Sequence, residues 1–415
     1  MRILHVNKFL YRRGGAEGYM FDVAALQRRV GHEVEHFAMT HPDNEPSRFS
    51  RHFPSQVDFD PAPDSLKGKV RGAARLMWST SAKAGLEHVL DEFRPDLVHM
   101  HNIYHQLSPS ILQPLKKRGI PAVLTMHDYK LACPTYQFLA HGQICEACLG
   151  GKFHNAARRR CNNGSFSASL LNSVEMTLHS RMNAYGPVDI FSCPSRFLAK
   201  KMDEAGVYPD KLRVVNNFVA TDETKLKEGP GGGIIFAGRL SFEKGVDVLV
   251  RAAAKIDAPL DIAGDGPERP GLEALAKELG ATKITFHGRL PMSELHDYVR
   301  TASVSVVPSR WYENQPLSIL ESFACGVPVV GTDLGGIPEL IEPGVDGDIV
   351  MPNDADALAA SLETFVRDPQ GAFDMGRAGR AKVDERFSPM YHLDKLNVVY
   401  DEAVAAHSPS LSSKT

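Results

Sequence analysis

The stretch WYENQPLSILESFACG, residues 311–326, sets two carboxylates, Glu313 and Glu321, eight positions apart around a proline. Glu313 falls in a loop. Pro316 suits the first turn of a helix and Gly326 its C-terminal cap. Between them Leu317, Leu320 and Ala324 recur at i, i+3 and i+7, with Glu321 at i+4 on the same stripe. A carboxylate on a packed stripe is costly unless something donates hydrogen bonds to it. Vicinal hydroxyls of a ribose would do so, and Glu313 would then point toward a hydroxylated group farther along the same ligand. A partly exposed helix residue or a core ion pair is the competing account of Glu321.

A second chemistry-bearing stretch is GRLSFEKGVDVLV, read as strand end, loop and helix start near Lys244. Arg239 and Lys244 are five apart across that loop. Arg offers a planar fork, Lys a mobile point charge, and a helix start free N–H groups, a combination suited to a diphosphate. Taken alone, such a pair is as well explained by solvated surface. No GxxxxGK[ST] occurs, so the phosphate loop of that motif is excluded.

These groups need elements to hold them. Short β-branched runs (RILHVN, DLVHMH, AVLTMH, DIFSCP, GGIIFAG, PLDIAG, VSVVPS, PVVGT) alternate with helical stretches almost throughout, which predicts parallel sheets covered on both faces. The unusual polar residues fall at strand ends. Gly14, Gly15 and Glu17 follow the first strand; His101-Asn102 and His127-Asp128 close two others. Arg239, then Gly264-Asp265-Gly266, then Glu313 follow strands of the second half. Ligands of open α/β sheets bind outside the carboxyl ends of strands, so one shared cleft is expected. At 415 residues the chain exceeds one ordinary core. The stretch TDETKLKEGPGGG, 221–233, marks the boundary. We expect domains over 1–220 and 231–385, a C-terminal helix over 386–406 packing back on the first domain, and a disordered tail over 407–415.

The quoted strand ends, with GGAE, GRLSFEKG, AGDGP, the E-x7-E pair and FACGVPVV followed by GGIPELI, resemble a retaining glycosyltransferase of family 4 (glycosyl transferases group 1) from residue 1 to about 400. The resemblance implies a GT-B fold, two Rossmann-like domains facing across a cleft, and transfer of a sugar from a UDP- or GDP-sugar to a saccharide or lipid-linked acceptor in cell-envelope or exopolysaccharide biosynthesis. It implies that Glu321 holds the ribose, Glu313 the donor sugar, Arg239 and Lys244 the diphosphate, and that His127 touches the sugar. Gly14 and Gly15 would let backbone N–H groups approach phosphate or acceptor, and Gly264 and Asp265 would border the donor. Many members have a glycine-rich turn after the first glutamate; here Asn314, Gln315, Pro316 and Leu317 stand there. Pro316 has no N–H, so Asn314 or Gln315 would take over contacts to the donor. No catalytic metal is expected. Rival readings are a nucleotide-sugar epimerase and a non-catalytic nucleotide-sugar-binding scaffold.

Cys133, Cys145, Cys148 and Cys161 form C-x11-C-x2-C-x12-C directly after TMHDYK. Four thiolates suit a structural zinc ion that would order a loop over 133–161, with His141 or His154 as substitute ligands. Cys193 and Cys325 read as core thiols. His99, His101 and His105 read as a strand end lining the cleft rather than a metal site. Charge divides unevenly: residues 1–218 hold 28 Lys and Arg against 20 Asp and Glu, the remainder 19 against 30. With the basic stretch 66–85 around Trp78, this predicts an anionic partner or peripheral membrane contact for the first domain, or a solvated helix with one packed face. No nucleic acid partner is expected. MRILHVNKF opens as a strand without a signal-peptide pattern, and no apolar run is long enough to span a bilayer, so a cytoplasmic location is expected, with or without peripheral attachment.

Overall fold

The computed structural model describes residues 1–56, 66–221 and 224–407, and of 66–71 the backbone alone. The first half runs β1 (Arg2–Val6), α1 (Gly15–Arg29), β2 (Glu33–Phe37), α2 (Leu66–Met77), α3 (Thr80–Phe93), β3 (Leu97–Met100), α4 (Leu112–Arg118) and β4 (Ala122–Thr125). It continues with a small hairpin, β5 (Leu139–Ala140) and β6 (Gln143–Ile144), then α5 (His154–Arg158), α6 (Phe166–Arg181), β7 (Ile190–Cys193), α7 (Arg196–Glu204) and β8 (Leu212–Val214). The second half runs β9 (Ile234–Ala237), α8 (Val246–Ala253), β10 (Leu260–Ala263), α9 (Arg269–Glu278), β11 (Ile284–Gly288), α10 (Met292–Thr301) and β12 (Val304–Val307). It ends with α11 (Leu317–Ala324), β13 (Val329–Thr332), β14 (Gly347–Val350), α12 (Ala355–Arg367), α13 (Pro369–Arg386) and α14 (Pro389–Ala405).

The strands make two six-stranded parallel sheets, ordered β2-β1-β3-β4-β7-β8 and β11-β10-β9-β12-β13-β14. LVHM, AVLT, IFSC, VSVV and VVGT are buried along their whole length, as continuous β-branched runs covered on both faces must be. Strand order reverses between β1 and β3 in the first sheet and between β9 and β12 in the second. Loops at such reversals splay apart and open a crevice. Lys8 and Asn102 follow the first pair; Arg239 and Glu313 follow the second.

Two expectations, for the tail and for the basic stretch, are corrected. The boundary segment is packed into the fold: Lys227 is buried, its N–H donates to the Cys325 carbonyl at 3.0 Å and its ammonium to the Ala302 carbonyl. Residues 222–223 of it lie outside the described residues, as does the tail from 408; His407 is placed, its Nε2 3.0 Å from Asp189 Oδ2. The basic stretch is two helices, divided at Trp78-Ser79 because the Ser79 hydroxyl caps α3 by accepting from Ala82 N–H. Its Arg75 is buried, not solvated, and donates to the Gln106 carbonyl at 3.3 Å. The side chains of Lys67, Lys69 and Arg71 lie outside the described residues. The C-terminal helix, expected to pack back on the first domain, is α14, which lies on α1, β4 and β7 and buries Leu393, Leu396, Val399 and Tyr400 among Ile3, Val23, Val123 and Ile190.

Candidate active site

Glu313 is 5% exposed in the loop between β12 and α11. Its Oε1 accepts from Lys244 Nζ at 2.7 Å and from the Ser309 hydroxyl at 2.6 Å. Burial opposes its ionisation, but the Lys244 charge and the hydrogen bonds from Lys244 and Ser309 outweigh that and hold its pKa below the usual carboxylate value. Lys244 closes a short turn, Phe242–Lys244, before α8, which starts only after Gly245. Gly245 has φ +67, and a Cβ there would meet the Pro308 carbonyl at 2.1 Å, so the Lys244 turn is pressed onto the end of β12. Lys244 and Glu313, expected to serve different parts of a ligand, hold each other here. Arg239 is exposed and forms no ion pair among the described residues. Its charge reaches Tyr136 of the first domain, as does that of Asp128.

The glutamate loop is fixed from both sides. The Glu313 carbonyl accepts from Gly336 N–H at 2.8 Å and from Tyr129 Oη–H of the first domain at 3.3 Å. Gly335 and Gly336 pass so close that a Cβ on either would meet the Glu313 or Asn314 carbonyl at 2.3 or 1.9 Å. Asn314 bridges the domains: Nδ2 donates to the Met126 carbonyl at 3.1 Å, and Oδ1 accepts from the Ser195 hydroxyl at 2.9 Å. Gln315 Oε1 accepts from Asn217 N–H at 2.5 Å. Both amides hold the domains together here. The Asn314 amide is engaged at both ends, which corrects the reading that it replaces missing backbone donors, whereas Gln315 keeps a buried Nε2 without a partner among the described residues.

Pro316 caps α11 from outside, with ψ 113, rather than forming its first turn. The packed face of α11 is Ile319, Leu320 and Phe323. Glu321 shares the less buried side with Leu317 and Ser318. That side faces α1, since a Cβ on Gly15 would stand 3.8 Å from Leu317 Cδ1. Glu321 has no hydrogen-bond partner among the described residues, and burial, followed by the Asp22 charge from α1, pushes its pKa up to about 7. It is a partly exposed acceptor without a protein partner, on the side of α11 that faces α1. Gly264, at φ +149, serves the fold, because a Cβ there would meet the Gly238 carbonyl at 1.8 Å. Asp265 is exposed beside it and accepts from Gly266 N–H at 2.8 Å. Gly14 and Gly15 are exposed at the start of α1, with Glu17 buried behind them.

His127, partly buried just past the end of β4, heads a hydrogen-bonded row. Its Nε2 lies 3.1 Å from His101 Nδ1, His101 Nε2 lies 3.0 Å from His5 Nδ1, and His5 Nε2 lies 2.8 Å from Gln27 Oε1. The chain continues from Gln27 Nε2 to the Tyr400 hydroxyl, His99 and Thr125, at 2.9, 2.7 and 2.7 Å. Burial lowers His5 to about 4 and His127 to about 3, so these rings are neutral and each can donate once and accept once. With Gln27 Oε1 toward His5, every donor in the row points inward, and His127 keeps its Nδ1 lone pair for the cleft. His99 and His101 are therefore not cleft-lining, as expected, but fully buried behind His127. The donor atoms of His5, His99 and His101 lie within 4.8 Å of one another, yet all six ring nitrogens are already engaged. His105 pairs with Glu175 at 3.3 Å.

Cys133, Cys145, Cys148 and Cys161 gather around the β5–β6 hairpin. Burial and then the other three thiols push Cys148 up to about 12; burial and its neighbours push Cys161 to about 11. Among the described residues their sulfurs do not converge within 4.8 Å. The hairpin abuts the site, since Tyr312 Oη–H donates to Glu146 Oε1 at 2.8 Å. Sequence reading missed Ser309, Tyr129, Gln27 and Tyr400. Ser309, four residues before Glu313, carried a local signal; the others act across the fold.

Known proteins resemble this arrangement over its full length. Residues 13–223 match the family model Glycosyltransferase Family 4, and 222–382 match Glycosyl transferases group 1. A D-inositol 3-phosphate glycosyltransferase of Thermobispora bispora is 36% identical over 94% of this chain and 90% of its own length. Other relatives match over less: an uncharacterized glycosyltransferase of Methanocaldococcus jannaschii is 38% identical over 39% of this chain, which spans 40% of that protein's length. Among solved structures, a sucrose-phosphate synthase from Thermosynechococcus elongatus superposes with TM-score 0.73 at 20% identity, covering 98% of this chain and 99% of its own. Anabaena HepE in complex with UDP and glucose gives 0.66 at 19% identity, over 97% and 99%. These structural likenesses bear on the fold alone.

Proposed function

The chain belongs to glycosyltransferase family 4, with the GT-B architecture, and on that premise we propose that it moves a sugar, with retention, from a UDP- or GDP-sugar to a saccharide or lipid-linked acceptor of cell-envelope or exopolysaccharide synthesis. One observation carries this reading. Lys244 holds Glu313 beside the strand reversal of the second sheet, where Arg239 also follows a strand end; the unpartnered Glu321 on α11 and the neutral His127 at the end of β4 support the same reading. Glu321 would accept from the ribose hydroxyls, and Arg239 and Lys244 would take the diphosphate. Glu313 and the His127 Nδ1 lone pair would accept from sugar hydroxyls. The bond from C1 to the diphosphate oxygen breaks as the acceptor oxygen bonds C1 on the same face. The acceptor proton passes to a β-phosphate oxygen. Charge grows on the leaving diphosphate, where Arg239 and Lys244 stabilise it. A panel of nucleotide-sugars should show one UDP- or GDP-linked donor that raises Tm by several degrees and is slowly hydrolysed. Interconversion of free donor sugars without hydrolysis or transfer would overturn the reading.

The hairpin beside the cleft is the second part of the proposal. Cys133, Cys145, Cys148 and Cys161, gathered around one hairpin, would hold one structural zinc ion after a small closure, and a bound cation would offset the burial and neighbouring thiols that raise Cys148 and Cys161. Metal analysis of protein purified without added metal should find about one zinc per chain. Cys145→Ser should lose it, with a lower Tm and donor hydrolysis largely kept. Stable, active, zinc-free protein would leave these as ordinary thiols.

A further inference from the structure

Helix α6 is built inside out. Its inward face carries Ser169, Asn172, Ser173, Glu175 and His179, all buried, with Met176 the one large apolar side chain among them. Each polar group that fixes this face is satisfied. Glu175 Oε2 accepts from Lys130 Nζ at 2.8 Å, Ser169 Oγ from Asn162 N–H at 2.9 Å and Ser173 Oγ from Ala157 N–H at 3.2 Å; His179 Nε2 meets the Met77 carbonyl at 2.8 Å. The outward face is apolar: Phe166, Leu170, Val174, Leu178 and, just past the end, Met182 are 53, 43, 49, 40 and 52% exposed. A helix on a protein in water shows the opposite arrangement. The polar contacts lock the rotation, so the apolar residues cannot turn inward.

Spaced at i, i+4, i+8, i+12 and i+16, the five form one continuous ridge that winds roughly 160° round the outward side. Such a ridge fits a membrane interface as well as a partner's groove, and the surrounding charge chooses between them. Between residues 147 and 188 the basic groups are Lys152, Arg158, Arg159, Arg160 and Arg181, all exposed, and the single acid is the buried, paired Glu175. The neighbouring α2, which packs on α6, holds no acidic residue. Greasy face and uniformly basic border are the recognition chemistry of an anionic bilayer.

We propose that α6 docks this protein on an anionic membrane surface. The consequence for acceptor choice rests on the glycosyl transfer proposed above; the docking itself does not. Lys130, which grips Glu175, follows His127 and Asp128 by a few residues, so the docked helix is braced against the acceptor-side wall of the cleft.

The full chain should sediment with phosphatidylglycerol vesicles at least tenfold better than with phosphatidylcholine vesicles, and less well as salt rises. L170E/L178E should lose that binding by at least tenfold while keeping Tm and donor hydrolysis. Phe166→Trp should show blue-shifted emission on the anionic vesicles. Absence of binding, equal binding to both lipids, or an unaffected L170E/L178E variant would overturn the proposal. So would a wild-type dimer by light scattering that the same variant breaks, which would make the cover a second copy. Because vesicle binding is read without a sugar donor, it can fail while transfer stands, and transfer can fail while it stands.

Discussion

Lys244→Ala is expected to lower kcat/KM by on the order of 10²–10³, and Arg239→Ala by a similar factor, but the two should part company on stability. Arg239 is exposed and unpaired among the described residues, so its loss removes stabilisation of the departing diphosphate and little else. Its effect should fall on kcat more than on KM, because the charge it meets is greatest in the transition state. Arg239→Lys should recover only part, since the planar fork is lost. Lys244 has a second duty. Without it Glu313, 5% exposed, keeps Ser309 but loses its counter-charge. The carboxyl then protonates or leaves a buried charge unmet, at a cost of about 1–3 kcal/mol in stability. K244A/E313Q should regain most of that stability and none of the turnover, separating fold from chemistry. Turnover near wild type in both single variants would remove the diphosphate assignment.

Much of this site is legible in the sequence because strand ends announce themselves. Arg239, His127 and Glu313 each close a short apolar run, and parallel sheets put such ends on one edge. The expected two-sheet fold and family are borne out for the same reason. What is not legible depends on distant partners. The alternation in HMH places His99 and His101 together but cannot show that Gln27 and Tyr400, 373 residues apart, complete their hydrogen bonds and bury them. The Lys244–Glu313 pair spans 69 residues, and nothing local marks it. Periodicity identifies α6 as a helix yet would turn Phe166, Leu170, Val174 and Leu178 inward. The buried Lys130–Glu175 pair, 45 residues apart, decides otherwise.

Glu321 carries the most specific pH signature in the molecule. With its pKa raised from 4.5 to about 7, the carboxyl lends the fold a stability that is complete below about pH 4.5 and is lost as pH rises through about 7. Glu321→Gln should therefore melt above wild type at pH 8 and level with it near pH 5. The gain is at most ~3 kcal/mol, and less where water reaches the partly exposed carboxylate. Ribose hydroxyls that donate to the carboxylate favour its charged form and pull the pKa down, so binding must release a proton. Intact nucleotide-sugars suit the test, because their diphosphate esters do not titrate near neutrality. Donor affinity should climb about tenfold or more between about pH 5.5 and pH 8, and calorimetry in buffers of different ionisation heat should detect the proton leaving. In Glu321→Gln the slope should vanish, and affinity at pH 8 should fall by about 1.5–3 kcal/mol for the lost charged hydrogen bonds. A wild-type protein whose donor affinity is flat across that range, with no proton released, would mean that Glu321 is raised by its surroundings alone and that the ribose lies elsewhere.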